Sequence, residues 1–340
     1  MTNNEVMTYT NTVSEPQHDL GGKRTQQDYG LVIQDGEWTF VGLWDGHSQD
    51  GFSNAAGAAA ESYISQSGFY EKLIGDPEST AKDLFNVMQQ SNFDLLIGQL
   101  NKSQVNYEIR DGHIYVLNIN KLRGGTTATL IFVNTSGLVI TMNVGDSDVW
   151  MHSATESTKL TADHLPETLG EYERLMALST SECKYDRPSQ LRAKSSSDVI
   201  PLKHVQGLEP FTPYYVSNVD DKPATIVCIT DPTTRVINRS AMTRSIGDEN
   251  LKKGGIISTP SVRIDQLTEN VVIKIASDGY WDALNTVDGL SRTNAALVEF
   301  GDDANAIAGD WYKKTKETSD KLFGGVGDNM WGYVIVIKKN

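Results

Sequence analysis

Nowhere does this chain carry an apolar run approaching the ~20 residues that a membrane-spanning helix needs, so an integral membrane protein is not expected. Cysteine is scarce. Only Cys183 and Cys228 occur, far apart and without metal-ligand spacing, which argues against a disulfide framework and against a thiolate metal site. The six histidines are scattered and form no His-x-x-x-His pair, so the ligands of any bound metal should be oxygens. Positive charge is in deficit as well: 30 Lys and Arg stand against 44 Asp and Glu, a net charge of −14. That balance disfavours nucleic acid and anionic membrane as partners and favours metal cations. The opening residues, MTNNEVMTYTNTV, lack the basic-then-apolar layout of a secretory signal, and a soluble cytoplasmic protein is expected. There is no internal repeat, no low-complexity segment and no glycine-rich phosphate loop. GGVGDN lacks the strand-before, helix-after context that such a loop requires.

What is present is an ordinary globular composition, 39% hydrophobic and 22% charged over 340 residues, enough for one large domain or two. Residues 1–13 read as a loosely ordered N-terminus. LVIQDGEWTFVGLW reads as a hairpin around Asp35-Gly36. STAKDLFNVMQQSNFDLLIGQL predicts a helix, with Thr80 and Asp83 as a capping box and Phe93, Leu96, Ile97 and Leu100 at helical spacing. GGTTATLIFVNTSGLVITMNVGDSDVWMH predicts three strands joined by turns, and residues 167–179 a helix. ENVVIKIASDGYWDAL is a strand running into a turn, residues 285–321 hold two helices, and NMWGYVIVIKK closes the chain as a strand. Strands clustered between helices predict an α+β fold of antiparallel sheets covered by helices, not a doubly wound sheet. Residues 183–235 are rich in Ser, Pro, Asp and Lys, with one credible strand in ATIVCIT, and read as a flap inserted into a single domain spanning 14–340.

Five aspartates share one kind of position. Asp45 follows the strand FVGLW, Asp146 follows VITMNV and Asp278 follows VVIKIAS, while Asp28 and Asp328 stand just before strands. Taken singly each is a turn former, and His47 after Asp45-Gly46 is a turn histidine. Taken together they can converge on one rim of a compact sheet pair. Converging carboxylates repel unless protonated or neutralised. Hard divalent cations such as Mg²⁺ and Mn²⁺ are the natural remedy. Two such ions sharing a water lower its pKa, and a phosphate ester is the substrate that suits them, with an Arg fork holding its free oxygens.

The motifs that carry these residues resemble, in order, those of the type 2C family of metal-dependent serine/threonine protein phosphatases. They are Arg24–Asp28 (RTQQD), Asp45-Gly46-His47, Gly124–Thr129 (GGTTAT), Asn143–Asp148 (NVGDSD), Leu160–Pro166 (LTADHLP), Thr243–Asp248 (TRSIGD), Ser277–Asp282 (SDGYWD) and Gly327–Met330 (GDNM). The resemblance spans residue 21 to the C-terminus and implies a central β-sandwich of two antiparallel sheets flanked by helices, a four-layer α-β-β-α arrangement. It implies hydrolysis of phosphoserine and phosphothreonine in phosphoproteins by a metal-bridging hydroxide, and a monomer is expected. By the same resemblance Asp45, Asp278, Asp328 and the Gly46 carbonyl are ligands of two Mg²⁺ or Mn²⁺ ions, and Asp28 acts through water. Asp146, with Asp278, holds a third, weaker ion. His47 protonates the leaving alkoxide. Arg24 and Lys23 are the candidate phosphate contacts, Lys23 occupying the family register and Arg24 having the bidentate geometry. TRSIGD is expected to be structural, with Asp248 as a turn or cap and Arg244 in packing or an ion pair. Gln27, Ser48, Asp148 and Trp331 depart from the family pattern, and the last three are expected to reshape the substrate groove. A non-catalytic scaffold that binds a phosphoprotein or kinase is the alternative, disfavoured because all five aspartates are kept. A calcium-binding module is disfavoured by the lack of an Asp-x-Asp-x-Asp-Gly loop.

Overall fold

Residues Trp38–Trp44 are buried from end to end, and the strand they form explains the architecture. Phe40 and Trp44 point to one face and Val41 and Leu43 to the other, as the two-residue period of a strand dictates. A strand apolar on both faces must be covered on both. In the computed structural model it lies inside a five-stranded antiparallel sheet ordered Ser261–Gln266, Leu138–Val144, Ala128–Asn134, Trp38–Trp44, Tyr29–Asp35. The structure describes residues 7–21, 23, 25–49, 51–116, 122–165, 168–177, 199–201, 214–216, 225–231, 236–252, 255–283, 289–324 and 327–340.

A second antiparallel sheet runs Tyr9–Val13, Met330–Lys339, Val271–Ala276, Asp148–His152, Ser157–Lys159, with Gln17–Asp19 also paired to the start of Met330–Lys339. Its Val149, Ile273, Ile275, Ile335 and Ile337 meet Val41, Leu43, Ile131 and Val133 of the first sheet in one apolar layer. On the far side of the first sheet, Phe40, Trp44 and Phe132 pack on Ala56, Ala60, Phe85 and Met88 of helices Phe52–Ile64 and Pro77–Lys102. On the far side of the second, Val272, Val334 and Val336 pack on Ile307, Ala308 and Trp311 of helix Ala304–Phe323, with Ala296 of helix Gly289–Phe300. Full burial of side chains of this size stabilises by roughly 1.5–3 kcal/mol each, so three stacked apolar layers fix the sandwich. The four-layer α-β-β-α expectation holds. Among the described residues no helix is long and apolar enough to cross a membrane.

Three expectations need correction. The loosely ordered N-terminus does not extend to residue 13: Tyr9–Val13 pairs with Lys339–Ile335, and the buried Tyr9 hydroxyl donates to the Leu267 carbonyl at 2.8 Å. Residues 1–6 lie outside the described residues. The long helix begins three residues before the expected cap, because Asp76 accepts from the Ser79 N–H at 3.0 Å and Pro77 takes the first helical position, where a missing N–H does no harm. Thr80 instead turns its hydroxyl back to the Asp76 carbonyl. The 183–235 stretch contributes three strands, not one: Val199–Pro201, Tyr214–Val216 and Thr225–Asp231 join Val236–Ser240 in a four-stranded sheet. The rest of that stretch lies outside the described residues.

Candidate active site

Asp45 leaves the central strand with its backbone fixed on both sides. Its N–H donates to Thr127 Oγ1 at 3.0 Å, and its carbonyl accepts from the Thr127 N–H at 2.8 Å and Thr126 Oγ1 at 2.9 Å. The GGTTAT segment thereby sets the direction of the Asp45 side chain. Gly46 follows in close contact with residue 27; a Cβ there would sit 2.4 Å from the Gln27 carbonyl oxygen. Asp28, only 4% exposed, accepts from Ser277 Oγ at 2.9 Å through one oxygen, and its other oxygen, Oδ1, has no partner. Ser277 also binds Trp331 through both backbone groups, so hydrogen bonds tie together the segments around residues 28, 277 and 331. Asp278 opens a single helical turn after Val271–Ala276. Its neighbour Gly279 lies against the Asn329 carbonyl so closely that a Cβ would come within 1.9 Å. Asn329 in turn receives the Gln27 N–H and donates to the Leu20 carbonyl. Asp146 stands one residue beyond Gly145, whose N–H donates to His164 Nδ1 at 3.1 Å.

These contacts gather carboxyl groups from distant segments. Burial first, then the charges of Asp278, Asp28 and Asp146, push Asp45 well above the ordinary carboxylate range. Asp278 is raised in the same way by burial and by Asp146, Asp328 and Asp282. Burial also lifts Asp28 to about 7 and Asp146 to about 6. Asp45 lies close to both Asp278 and Asp28. Acidic groups crowded together in this way suit a compensating cation. The donor set is all oxygen, Asp28 Oδ1 is unpartnered, and Gly46 lets backbone approach, so the residues fit hard divalent ions. Among the described residues no three acidic, imidazole or thiol groups are already spread as a metal cage.

Lys23 reaches the same rim, its Nζ 2.8 Å from Asp328 Oδ1, with both side chains about two-fifths exposed. Arg24 lies outside the described residues. His47 is carried by a small sheet in which Gly46–His47 pairs with Gly125–Thr126 and that with Ile246–Gly247. Its Nε2 is 2.8 Å from Asp248 Oδ2, while Nδ1 is buried without a partner. Burial pulls the imidazole pKa down, and the Asp248 charge and hydrogen bond more than offset it, leaving His47 above its ordinary value.

A family model described as protein phosphatase 2C matches residues 29–184, which hold the Asp45-Gly46-His47, GGTTAT and NVGDSD segments. The fold matches a serine-threonine phosphatase 2C from Toxoplasma gondii over 97% of this chain and 95% of that one, at 17% identity and a TM-score of 0.62. The chain has the protein phosphatase 2C fold. A C. elegans sex determining protein matches over 96% of this chain and 64% of its own, at 15% identity and a TM-score of 0.57. A bacterial serine phosphatase matches over 95% and 96%, at 14% identity and a TM-score of 0.51. Protein phosphatase 2C members are in general magnesium- or manganese-dependent serine/threonine phosphatases.

Within this phosphatase 2C fold the departures from the family pattern have specific places. Asp148 turns away from the carboxyl cluster to Lys159 Nζ at 2.7 Å and accepts from Thr161 Oγ1 at 2.9 Å. Trp331 packs, half-buried, against the layer between the sheets and stacks on His18 with ring centroids 4.8 Å apart. Ser48 is exposed and holds a positive φ of 70°, a conformation that glycine adopts with less strain. Arg244 does form an ion pair, with the buried Glu171, and donates to the Thr259 carbonyl. Sequence reasoning missed the Asp248 contact with His47, the two threonines that clamp Asp45, and Ser277. Residues 47 and 248 lie too far apart in the chain for any local pattern to join them.

Proposed function

We propose that this chain is an active phosphoprotein phosphatase that removes phosphate from phosphoserine and phosphothreonine at a two-metal Mg²⁺ or Mn²⁺ centre. The observation that carries the reading is the cluster of Asp28, Asp45, Asp146 and Asp278, four carboxyls from separate segments whose proton affinities are all raised. Asp45, Asp278, Asp328 and the Gly46 carbonyl would hold two ions, Asp28 would act through water, and Asp146 with Asp278 would hold a third. Ions bound there supply a nucleophilic water at neutral pH. The chain's own groups do the rest. Lys23 and Arg24 supply positive charge for the phosphate oxygens, and a guanidinium there can bind two of them at once. The His47 imidazole delivers a proton to the departing alkoxide from Nδ1, the nitrogen that has no protein partner. Ser277 and Thr127 keep Asp28 and Asp45 from swinging away as charge enters the site.

The deciding assay is turnover of p-nitrophenyl phosphate and of a phosphoserine peptide with Mn²⁺, with and without EDTA. Turnover that EDTA removes and added Mn²⁺ restores is expected. A folded chain that binds Mn²⁺ and phosphopeptide without releasing phosphate would overturn the reading in favour of a scaffold.

A further inference from the structure

His47 has a companion whose place in the fold is unusually constrained. Asp248 is 4% exposed and holds a positive φ of 52°, a conformation that strains a residue with a side chain. Its N–H is tied to the Gly124 carbonyl at 2.9 Å. Its Oδ2 accepts from Ser245 Oγ at 2.7 Å and stands 2.8 Å from His47 Nε2. Gly247, one residue earlier, donates its N–H to Gln89 Oε1 of the long helix at 2.9 Å, so the turn is anchored from outside as well. The small sheet explains how the carboxylate reaches the ring. Gly125 lies between His47 and Gly247 in the register, and the Asp248 side chain crosses over it. A Cβ on Gly125 would lie 2.6 Å from Asp248 Oδ2, so the crossing is open only because residue 125 is glycine. A strained, buried, doubly anchored carboxylate directed at one nitrogen of an imidazole, with the other nitrogen left unpartnered, fixes the ring orientation.

We propose that Asp248 is the positioning residue for the proton donor of this phosphatase, holding His47 through Nε2 so that Nδ1 delivers the proton to the leaving oxygen. This rests on the phosphatase reading above, with His47 as donor. In the step, water attacks phosphorus and forms the new O–P bond, its two protons staying with the phosphate product, while the seryl O–P bond breaks and leaves its electron pair on the seryl oxygen. The proton on Nδ1 passes to that oxygen, releasing a neutral hydroxyl. The ring is left as neutral imidazole, its Nε2–H still bonded to Asp248. The carboxylate balances the ring's positive charge before transfer and does not itself take a proton.

The test is a leaving-group comparison at fixed pH and saturating Mn²⁺, using Asp248→Asn, Ser245→Ala and His47→Ala, with melting curves to confirm folding. A seryl alkoxide is strongly basic and needs the proton, whereas p-nitrophenolate leaves without it. Asp248→Asn should lower kcat on a phosphoserine peptide by about 10- to 100-fold, within the range of acid catalysis, with KM changed less than about threefold. On p-nitrophenyl phosphate the loss should be several-fold at most. Ser245→Ala, which keeps the carboxylate and removes one support, should show the same selectivity in weaker form. If His47→Ala is selective for the peptide while folded Asp248→Asn and Ser245→Ala lose activity equally on both substrates, the positioning role is overturned and the donor role stands. If His47→Ala itself is unselective, the donor role fails and the proposal falls with it. A wild-type chain inert on both substrates would overturn the phosphatase reading instead.

Discussion

Lys274→Met should stabilise this protein near neutral pH, and the reason lies on the outer face of the second sheet. Lys274 sits in the strand Val271–Ala276, 4% exposed, beneath helices Gly289–Phe300 and Ala304–Phe323. Its Nζ donates to Thr293 Oγ1 at 2.8 Å and stands 5.1 Å from the centre of the Trp311 ring. Burial lowers its pKa to about 7, and the weaker pull of Asp310 does not restore it. Each tenfold change in proton affinity is worth about 1.4 kcal/mol, so a fall from an ordinary value above 10 means that burial, with smaller repulsion from Arg292 and Lys314, disfavours the ammonium by roughly 4–5 kcal/mol. The Trp311 ring returns about 2 kcal/mol of that through cation–π attraction. A methionine of similar length would fill the space without the charge. A gain of about 1–3 kcal/mol at pH 7 is expected, or a rise of several degrees in the melting midpoint for a domain of this size.

The sign of the pH dependence supplies an independent check. A lysine whose folded pKa is lowered binds a proton in the unfolded chain, but not in the folded one, between about pH 7 and about pH 10. Wild-type stability should therefore rise with pH through that window, and this contribution is lost as pH falls toward 7. Lys274→Met lacks the term. Its advantage should be largest near pH 7 and shrink by pH 9, whatever other groups titrate, because those cancel in the difference. Denaturant titrations of both proteins at pH 7, 8 and 9 measure it. A variant less stable than wild type by the same amount at all three values would show that the buried ammonium is favourable and the reasoning wrong.

Asp45→Asn and Asp278→Asn should each melt higher than wild type in EDTA, because one member of a repelling cluster is neutralised, yet lose both turnover and the Mn²⁺-induced rise in melting temperature; full turnover by either at saturating Mn²⁺ would sink the two-metal reading. Arg24→Ala should raise KM more than Lys23→Ala does, since an ammonium cannot reproduce two parallel hydrogen bonds to phosphate; the reverse order would assign the contact to Lys23. Replacing residues 187–222 by a Gly-Ser linker long enough to bridge the gap should spare p-nitrophenyl phosphate turnover and weaken activity on a phosphoprotein. Equal loss on both substrates in a folded, metal-loaded variant would make that segment part of the catalytic core.

The sandwich was legible because its inner strands are buried on both faces and so read as unbroken apolar runs, with Asp35-Gly36 marking the hairpin between two of them. Helix Phe52–Ile64 carried no such signal. Between Phe52 and Ile64 its core face is made of Ser53, Ala56, Gly57 and Ala60, small residues that let the helix approach the sheet but give a weak apolar period. The short strands at 199–201 and 214–216 were equally silent, since three residues hold too little of a period to recognise. The Thr80–Asp83 capping box was a correct pattern in the wrong place. Asp76 precedes a proline, and that pair starts a helix as effectively as the box does.

The site divides along a different line. Strand-end aspartates were visible as a recurring pattern because each belongs to its own strand, so five local readings sufficed. Their convergence depends on contacts between motifs, and those run through residues with little chemistry of their own. Gly279 admits the Asn329 carbonyl, Gly125 admits the Asp248 carboxylate, and Ser277 joins Asp28 to the Trp331 backbone. Read alone, the GGTTAT segment suggests only the start of a strand and TRSIGD only a turn or cap. In the fold the first clamps Asp45 and leaves the gap over Gly125, and the second sends a carboxylate through that gap to His47. The spacing of the motifs therefore could not identify Asp248 as a partner of His47; what identifies it is the pairing of three two-residue strands, each too short to be read from sequence, that bring positions 47, 125 and 247 side by side.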